Sequence, residues 1–206
     1  MNFSAKIDIG SGGLSDSPPP KMFNVVIDPG HGGADPGAVG RVYKLRERDV
    51  VMQIARFMSE QGQQGRVGIH LTRRNNETRR TINERTTFPA TPKIDAFISL
   101  HCNAFNDPRV HGSEVFHWQG NKKGWELSQF ILSDIIRETE WFSRGVKETT
   151  GFGVLRRTAR IPSCLVEYNF ISNHKIEDQF QSIDLLYNLA TCTYAAIDRY
   201  LGEYGR

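Results

Sequence analysis

Hydrophobic and polar residues follow one another along the chain in a pattern that predicts strands and helices in turn. Short β-branched or apolar runs bounded by Gly or Pro predict strands, and apolar residues spaced three and four positions apart predict amphipathic helices. The predicted strands are 23–27, 67–72, 94–100, 112–118, 152–155 and 163–168. The predicted helices are 46–61, 77–88, 124–142 and one within 176–201, starting near Asp178 or Ser182.

This order of elements predicts the fold class. Strands that alternate with helices are joined by right-handed crossovers and pair mainly in parallel. We therefore expect an α/β protein with a twisted, largely parallel central sheet of about six strands and helices on both faces. The strand at 112–118 is a candidate for the position where the strand order reverses.

The length of 206 residues suits one domain with a short tail. Residues 1–21 contain Gly-Ser-Gly-Gly and Ser-Pro-Pro-Pro, which predict a flexible leader, and the folded domain is predicted at 22–206. The leader lacks the basic start and apolar core of a secretory signal. We expect a protein that is made in the cytoplasm and released by another route, or one whose signal has been removed.

Composition and charge narrow the classes of partner. Apolar residues make up 38% of the chain, which makes a packed core feasible, and the net charge of +3 is compatible with an anionic partner such as a cell wall. Basic runs interleaved with aromatic residues are missing from the sequence, so nucleic acid is not an expected partner. The pairs Arg73-Arg74 and Arg79-Arg80 are predicted to lie on solvated faces. No segment has the length of a membrane span.

Three cysteines, Cys102, Cys164 and Cys192, are too few and too widely spaced for a disulfide framework or a Cys-rich zinc finger. We expect each to be a small buried residue. The position of Cys102 beside His101 raises the alternative of a cysteine nucleophile. Neighbouring side chains of a strand face opposite sides, however, and His101 is the better candidate for the face that carries a site.

Four polar side chains lie at the ends of predicted elements. His31 follows the first strand in a Gly-His-Gly-Gly turn, His101 closes the third strand, and Glu167 lies near the end of the last strand. Glu47 opens the first helix. Because ligands of open α/β sheets bind beyond the carboxyl ends of the strands, we expect these side chains to share one rim.

Two imidazoles and two carboxylates are the components of a catalytic zinc site, which needs three protein ligands, a position for water and an acid or base. Asp49 and Asp28 are rivals of Glu47 for the carboxylate ligand. A carboxylate in a first helical turn is also favoured by the helix dipole, which gives Glu47 a structural alternative.

The histidines other than His31 and His101 are expected to lie outside the metal site. His70 lies inside the second strand and is expected to be at the surface or half-buried, and His174 is expected in a loop. His111 and His117 flank the fourth strand, where His117 is a candidate for contact with a substrate.

Five motifs follow one another along the chain: VIDPGHGGADPGA at 26–38, ERDV at 47–50, LTR at 71–73, FISLHCNA at 97–104 and LVEYNFISN at 165–173. Together they resemble the zinc-dependent N-acetylmuramoyl-L-alanine amidases of the amidase-3 family. The resemblance extends from residue 23 to about residue 200. The Gly-His-Gly-Gly turn and the block around His101 are the most specific of these motifs.

The resemblance implies that His31, Glu47 and His101 bind one zinc ion and that Glu167 is catalytic. It implies hydrolysis of the amide between N-acetylmuramic acid and L-alanine in peptidoglycan, by a monomer similar to an endolysin that lyses the wall. A zinc peptidase that cleaves within the stem peptide is an alternative, and so is a wall-binding module without activity.

The chain departs from the family pattern in two places. Tyr168-Asn169 follows the late glutamate where a smaller residue is common, which predicts a bulkier rim. Pro-Ala-Thr-Pro at 89–92 replaces an Ala-Asn dipeptide.

The resemblance also places Arg85 at an arginine of the second helix, for which we expect a structural role. The interval between the fourth and last strands is too short for an additional blocking helix, so we expect an open site.

Overall fold

The computed structural model describes residues 23–87 and 92–205. The predicted leader at 1–21 lies outside these residues, and so does most of the 89–92 segment. The start of the domain at residue 22 therefore stays a prediction. Among the residues that are described, no helix is both long and apolar enough to cross a membrane.

Six strands and six helices make up the described fold. The strands are β1 Phe23–Pro29, β2 Val67–Leu71, β3 Ala96–Asn103, β4 Ser113–Trp118, β5 Ser143–Thr149 and β6 Ser163–Phe170. The helices are α1 Glu47–Gly62, α2 Ile82–Thr86, α3 Lys122–Thr139, α4 Gly153–Thr158, α5 His174–Gln179 and α6 Ile183–Tyr204.

The strands form one sheet in the order β2-β1-β3-β6-β4-β5. Strands β2, β1, β3 and β6 are parallel neighbours, while β4 is antiparallel to β6 and β5 runs parallel to β4. The predicted α/β class and the largely parallel sheet of six strands are confirmed. The strand direction changes at β4, which is antiparallel to β6. The order of strands reverses instead between β2 and β3, which lie on opposite sides of β1, so the reversal of order expected at 112–118 is not found there.

The core lies on both faces of the sheet because successive side chains of a strand point to opposite sides. In β1, Val25 and Ile27 join the larger apolar cluster, to which α1, α3 and α6 contribute. Val26 lies on the other face, in a smaller cluster with Phe97 and Leu165. This second face is the one on which the polar site described below is found.

The strands predicted in the second half of the chain differ from the observed strands in two places. Residues 152–155 open α4 rather than forming a strand, since a short apolar run suits a buried helical turn equally well. The missing strand is β5, which begins just after α3 ends beside the left-handed residue Glu140 (φ 55°). As an edge strand that pairs with β4 alone, β5 is only partly buried, and its sequence lacks an apolar alternation.

Four of the described helices begin at side-chain caps, and the caps of α2 and α6 bear on the predicted boundaries. The hydroxyl of Thr81 accepts the backbone N–H of Glu84 while the Glu84 carboxylate accepts that of Thr81, a capping box that limits the helix predicted at 77–88 to the five residues of α2. Ser182 caps α6 and was one of the two predicted starts of the terminal helix. The shorter α5 precedes it, and His174 is its first residue rather than a loop residue.

Candidate metal centre

The loop after β1 is fixed by one buried arginine. Arg73 is 2% exposed, and its guanidinium donates to the carbonyl oxygens of Pro29 at 3.0 Å, Gly30 at 2.8 Å and Arg48 at 2.9 Å. The prediction that Arg73 lies on a solvated face is therefore wrong, because the loop carbonyls need donors that no strand supplies. The prediction is confirmed for Arg74, Arg79 and Arg80, which are exposed.

Three candidate ligand atoms converge at the rim. Glu47 Oε1 lies 3.1 Å from His31 Nε2 and 2.8 Å from His101 Nδ1. One ligand atom from each of the three residues lies within 4.8 Å of the others. Metal bonds of about 2.0–2.2 Å need donors at such separations, so the set has the spacing of a single cation site.

Backbone donors hold the Glu47 carboxylate in place. Its Oε2 accepts the N–H of Ala38 at 2.7 Å, and its Oε1 accepts that of Cys102 at 3.0 Å. Burial opposes ionisation of Glu47, but hydrogen bonds with His101 and His31 outweigh it and lower the pKa of this carboxyl. Glu47 is therefore an anion at neutral pH, as a metal ligand must be.

The two rival carboxylates have other partners. Asp28 is fully buried against Arg85, and Asp49 pairs with Arg48 at 3.3 Å. Within the part of the chain that the structure describes, Glu47 is the carboxylate that joins the two imidazoles.

Asp35 orients His31 and was not singled out in the sequence. His31 Nδ1 lies 3.0 Å from Asp35 Oδ2, and the N–H of Gly37 donates to Asp35 Oδ1 at 3.0 Å. Burial opposes a charge on His31, but hydrogen bonds with Glu47 and Asp35 raise the pKa of its imidazole. A carboxylate on the far ring nitrogen fixes the ring of a metal-binding histidine. Asp35 lies four residues after His31 inside the first motif, and this position is the sequence signal that could have identified it.

Two glycines let the backbone approach the centre. A Cβ atom on Gly30 would lie 2.3 Å from His101 Cε1. At Gly37, whose φ is +67°, a Cβ atom would lie 2.5 Å from Glu47 Oε2 and 2.6 Å from His31 Cδ2. Any side chain at either position would displace a candidate ligand.

Glu167 lies beside the three-residue centre without belonging to it. It is the register partner of His101 in the neighbouring strand β6, and its residue is 9% exposed. Its Oε2 atom is buried and has no hydrogen-bond partner among the described residues. Burial raises the pKa of the Glu167 carboxyl well above its usual range, and the charges of Glu47 and Glu114 add to this effect.

Arg85 joins α2 to the sheet beneath the centre. Its Nε and Nη2 atoms donate to the two oxygens of Asp28 at 2.8 and 2.6 Å. The hydroxyls of Thr72 and Ser99 also donate to this carboxylate, each at 2.7 Å. Burial opposes ionisation of Asp28, but the charge and hydrogen bonds of Arg85 lower the pKa of the carboxyl below its usual range. These contacts give Arg85 the structural role expected of it.

The expectation of a bulkier rim at Tyr168-Asn169 is wrong. Both residues are fully buried, and the Tyr168 hydroxyl lies 3.0 Å from Thr193 Oγ1 of α6. Since Glu167 faces the site, the alternation of the strand turns Tyr168 to the opposite face. Asn169 Oδ1 accepts the N–H of Gly112 and so fastens the start of β4.

The other predicted side chains lie away from the centre. His117 is the register partner of Cys164, three residues before Glu167, and is 6% exposed on the opposite face of the sheet. His70 is exposed, as predicted. All three cysteines are free and buried, as predicted, and burial raises the pKa of the Cys102 thiol well above its usual range. A buried, protonated thiol is a poor nucleophile.

The two imidazoles are the more exposed parts of the centre. The side chain of His31 is 24% exposed and that of His101 is 15% exposed, while the side chain of Glu47 is 4% exposed. The carboxylate is thus the most buried of the three candidate ligands. A substrate would approach from the side of the imidazoles.

Comparisons with known proteins agree with this geometry. Residues 25–199 match the family profile described as N-acetylmuramoyl-L-alanine amidase. The chain is 28% identical to the N-acetylmuramoyl-L-alanine amidase AmiC of Escherichia coli O6:H1, over 87% of this chain and 53% of that protein. It spans about half the length of the first curated relatives that it matches.

Solved structures share the fold. The N-acetylmuramoyl-L-alanine amidase AmiC2 of Nostoc punctiforme superposes with a TM-score of 0.80 at 29% identity, over 87% of this chain and 97% of that chain. An N-acetylmuramoyl-L-alanine amidase of Clostridium difficile 630 superposes with a TM-score of 0.83 at 25% identity, over 90% of this chain and 100% of that chain. With its ordered motifs and its profile match, the chain belongs to the amidase-3 family of N-acetylmuramoyl-L-alanine amidases.

Proposed function

We propose that this protein is a zinc-dependent amidase that hydrolyses the bond between N-acetylmuramic acid and L-alanine in peptidoglycan. The observation that carries the proposal is the convergence of His31 Nε2 and His101 Nδ1 on Glu47 Oε1. Glu167 lies in the neighbouring strand beside His101, and its Oε2 atom has no hydrogen-bond partner among the described residues. The names of the relatives support the bond that is cleaved. Peptidoglycan is the proposed partner, and the domain is proposed to act as a monomer that lyses the wall in the manner of an endolysin.

The donor set fits zinc. Two imidazoles and one carboxylate are among the common ligand sets of catalytic zinc, whereas calcium and magnesium prefer oxygen donors alone. Asp35 supplies the partner that a zinc-binding imidazole usually has on its other nitrogen. His31, Glu47 and His101 would hold the ion. When bound, zinc supplies a Lewis acid and activates water at neutral pH.

Glu167 is the proposed proton carrier. It would accept a proton from the attacking water and deliver it to the nitrogen of the leaving L-alanine as the carbon–nitrogen bond breaks. A carboxyl whose Oε2 atom is buried and has no hydrogen-bond partner among the described residues is free to take up this proton and to give it back. The lactyl group then leaves as a carboxylate and the stem peptide leaves with a free amine.

The proposal predicts a specific product and a specific loss. Purified protein incubated with peptidoglycan sacculi is expected to release stem peptides with a new N-terminal alanine and to leave glycan strands with free lactyl carboxylates. Mass spectrometry of the digest identifies both. A chelator is expected to abolish release, and added zinc is expected to restore it, because the water would lose its activating ion.

The same digest distinguishes the alternatives. A zinc peptidase would open a bond within the stem peptide and leave L-alanine on the muramic acid. A wall-binding module would sediment with the sacculi and release nothing. Either result, or full activity in the presence of the chelator, would contradict the proposal.

A further inference from the structure

A groove beside His31 is bordered by a set of arginines. The side chains of Arg79, Arg80 and Arg85 line it together with His31 and Asp35. One candidate metal ligand and three guanidinium-bearing residues therefore border the same space. The groove extends from the centre toward the start of α2.

The backbone holds this part of the groove close to the centre. The N–H of Gly33 donates to the carbonyl of Asn76 at 2.8 Å. A Cβ atom on Gly33 would lie 2.9 Å from the Cβ of Arg79, so the segment before α2 packs directly on the turn that carries His31. A group held by Arg79 can thus belong to the same small molecule as a group at the centre.

The hydrogen-bonding groups along the groove are not all engaged within the described part of the protein. Both Arg85 nitrogens that contact Asp28 are committed to that carboxylate. Asp35 is engaged by His31 and by the N–H of Gly37. Arg79 and Arg80 are exposed, and neither makes a hydrogen bond or an ion pair with any residue in the described ranges 23–87 and 92–205.

The acidic neighbours of these two arginines have other partners. Asp35 is the carboxylate that faces Arg79, and its contacts with His31 and Gly37 are given above. Glu84 faces Arg80, but its Oε2 accepts the N–H and the hydroxyl of Thr81 at 2.7 and 2.8 Å. Two guanidinium groups are therefore available to an external anion.

We propose that Arg79 and Arg80 form a subsite for a free carboxylate of the stem peptide. The inference rests on the proposed function and adds a substrate preference to it. The sugars of peptidoglycan are neutral where the muramic acid is amidated, so carboxylates of the substrate lie on its peptide. The planar guanidinium group matches a carboxylate with paired hydrogen bonds. A wall phosphodiester shares this anionic chemistry and is the competing source.

The test compares two soluble muramoyl-peptides that are identical except that the carboxyl groups of the second peptide are amidated. We measure kcat/KM for the wild type, Arg79→Gln, Arg80→Gln and the double variant. The wild type is expected to prefer the carboxylate substrate. Each single variant is expected to lose about threefold on that substrate and the double variant about tenfold, because a solvent-exposed ion pair contributes only modestly to binding. The preference is expected to fall with added salt.

Arg74→Gln is the matched control. Arg74 is exposed on the same segment, but it lines a separate cleft with Arg56 and Glu60. The Arg74→Gln variant loses the same charge and is expected to leave kcat/KM unchanged on both substrates. Calorimetry with the released stem peptide gives a readout without turnover, and the double variant is expected to bind it about tenfold more weakly.

The outcomes separate the subsite from the proposed function. Equal wild-type rates on both substrates, or equal losses on both in the double variant, would overturn the subsite while the amidase stands. If the wild type cleaves neither substrate, the proposed function fails, and the calorimetry alone decides the subsite. Stronger competition by glycerol phosphate than by glutarate, abolished in the double variant, would overturn the carboxylate assignment in favour of a wall phosphate.

Discussion

Glu167→Gln is expected to lower kcat on a soluble muramoyl-peptide by about 10²–10⁴-fold, the usual contribution of a general acid or base. Gln keeps the shape of the side chain and removes the group that carries the proton. Glu167 lies outside the convergence of His31, Glu47 and His101, so the zinc content of the variant is expected to match that of the wild type. The loss is measured by steady-state kinetics on protein whose metal content has been determined.

Glu148→Gln provides the control for this variant. Glu148 is exposed on β5, and its carboxylate accepts a hydrogen bond from the N–H of Gly120 at 3.2 Å. It is expected to retain full turnover. Near-normal turnover of Glu167→Gln would show that the proton carrier is a different group.

Arg85→Met is expected to lower the free energy of unfolding by about 3–5 kcal/mol, because it leaves the fully buried Asp28 carboxylate without its charged partner. This loss is a large share of the stability of an ordinary domain. Chemical denaturation measured by circular dichroism gives the value. The exposed Arg74→Met is the matched control and is expected to change it by less than about 0.5 kcal/mol.

The effect of Arg85→Met has an expected dependence on pH. In the wild type the pKa of Asp28 is lowered in the folded state, so the stability this carboxylate contributes is present above its unfolded pKa and is lost as the pH falls through the folded value. In the variant, burial without a partner raises that pKa and penalises the folded state above the unfolded value. The difference between the proteins is therefore expected to be largest at neutral pH and to shrink below about pH 4.

If Arg85→Met does not fold, Arg85→Lys keeps the test open. Lys retains the charge but loses the paired geometry, so an intermediate loss is expected. A loss below about 1 kcal/mol in Arg85→Met, or one that is independent of pH, would contradict the structural role of the Arg85–Asp28 pair.

The sequence pattern predicted the elements that are buried on both faces. Strands β1, β3 and β6 are continuous apolar runs, and the polar residues His31, His101 and Glu167 stand where those runs end. The apolar runs therefore predict the strands, and the polar residues at their ends predict the rim where the site lies. Strand β5 has no such apolar run, because an edge strand needs little apolar surface.

The contacts that support the site could not be predicted from local pattern. Arg73 looked like a surface residue, yet it is the donor for carbonyls of a loop more than 40 positions away. Glu177 is fully buried and accepts the N–H groups of Val42, Tyr43 and Leu45, from which it is separated by more than 130 positions. Arg73 and Glu177 bind backbone groups that the helices and strands leave without hydrogen-bond partners. The spacing of apolar residues along the sequence does not show which backbone groups these are.

Elemental analysis of zinc tests the account most directly. Wild-type protein dialysed against a zinc buffer is expected to retain about one zinc per chain, Glu167→Gln is expected to retain the same amount, and His101→Ala is expected to retain far less, because the catalytic ion needs three protein ligands. A wild type without bound zinc, or a His101→Ala variant that keeps a full equivalent, would contradict the assignment of His31, Glu47 and His101 as the metal ligands.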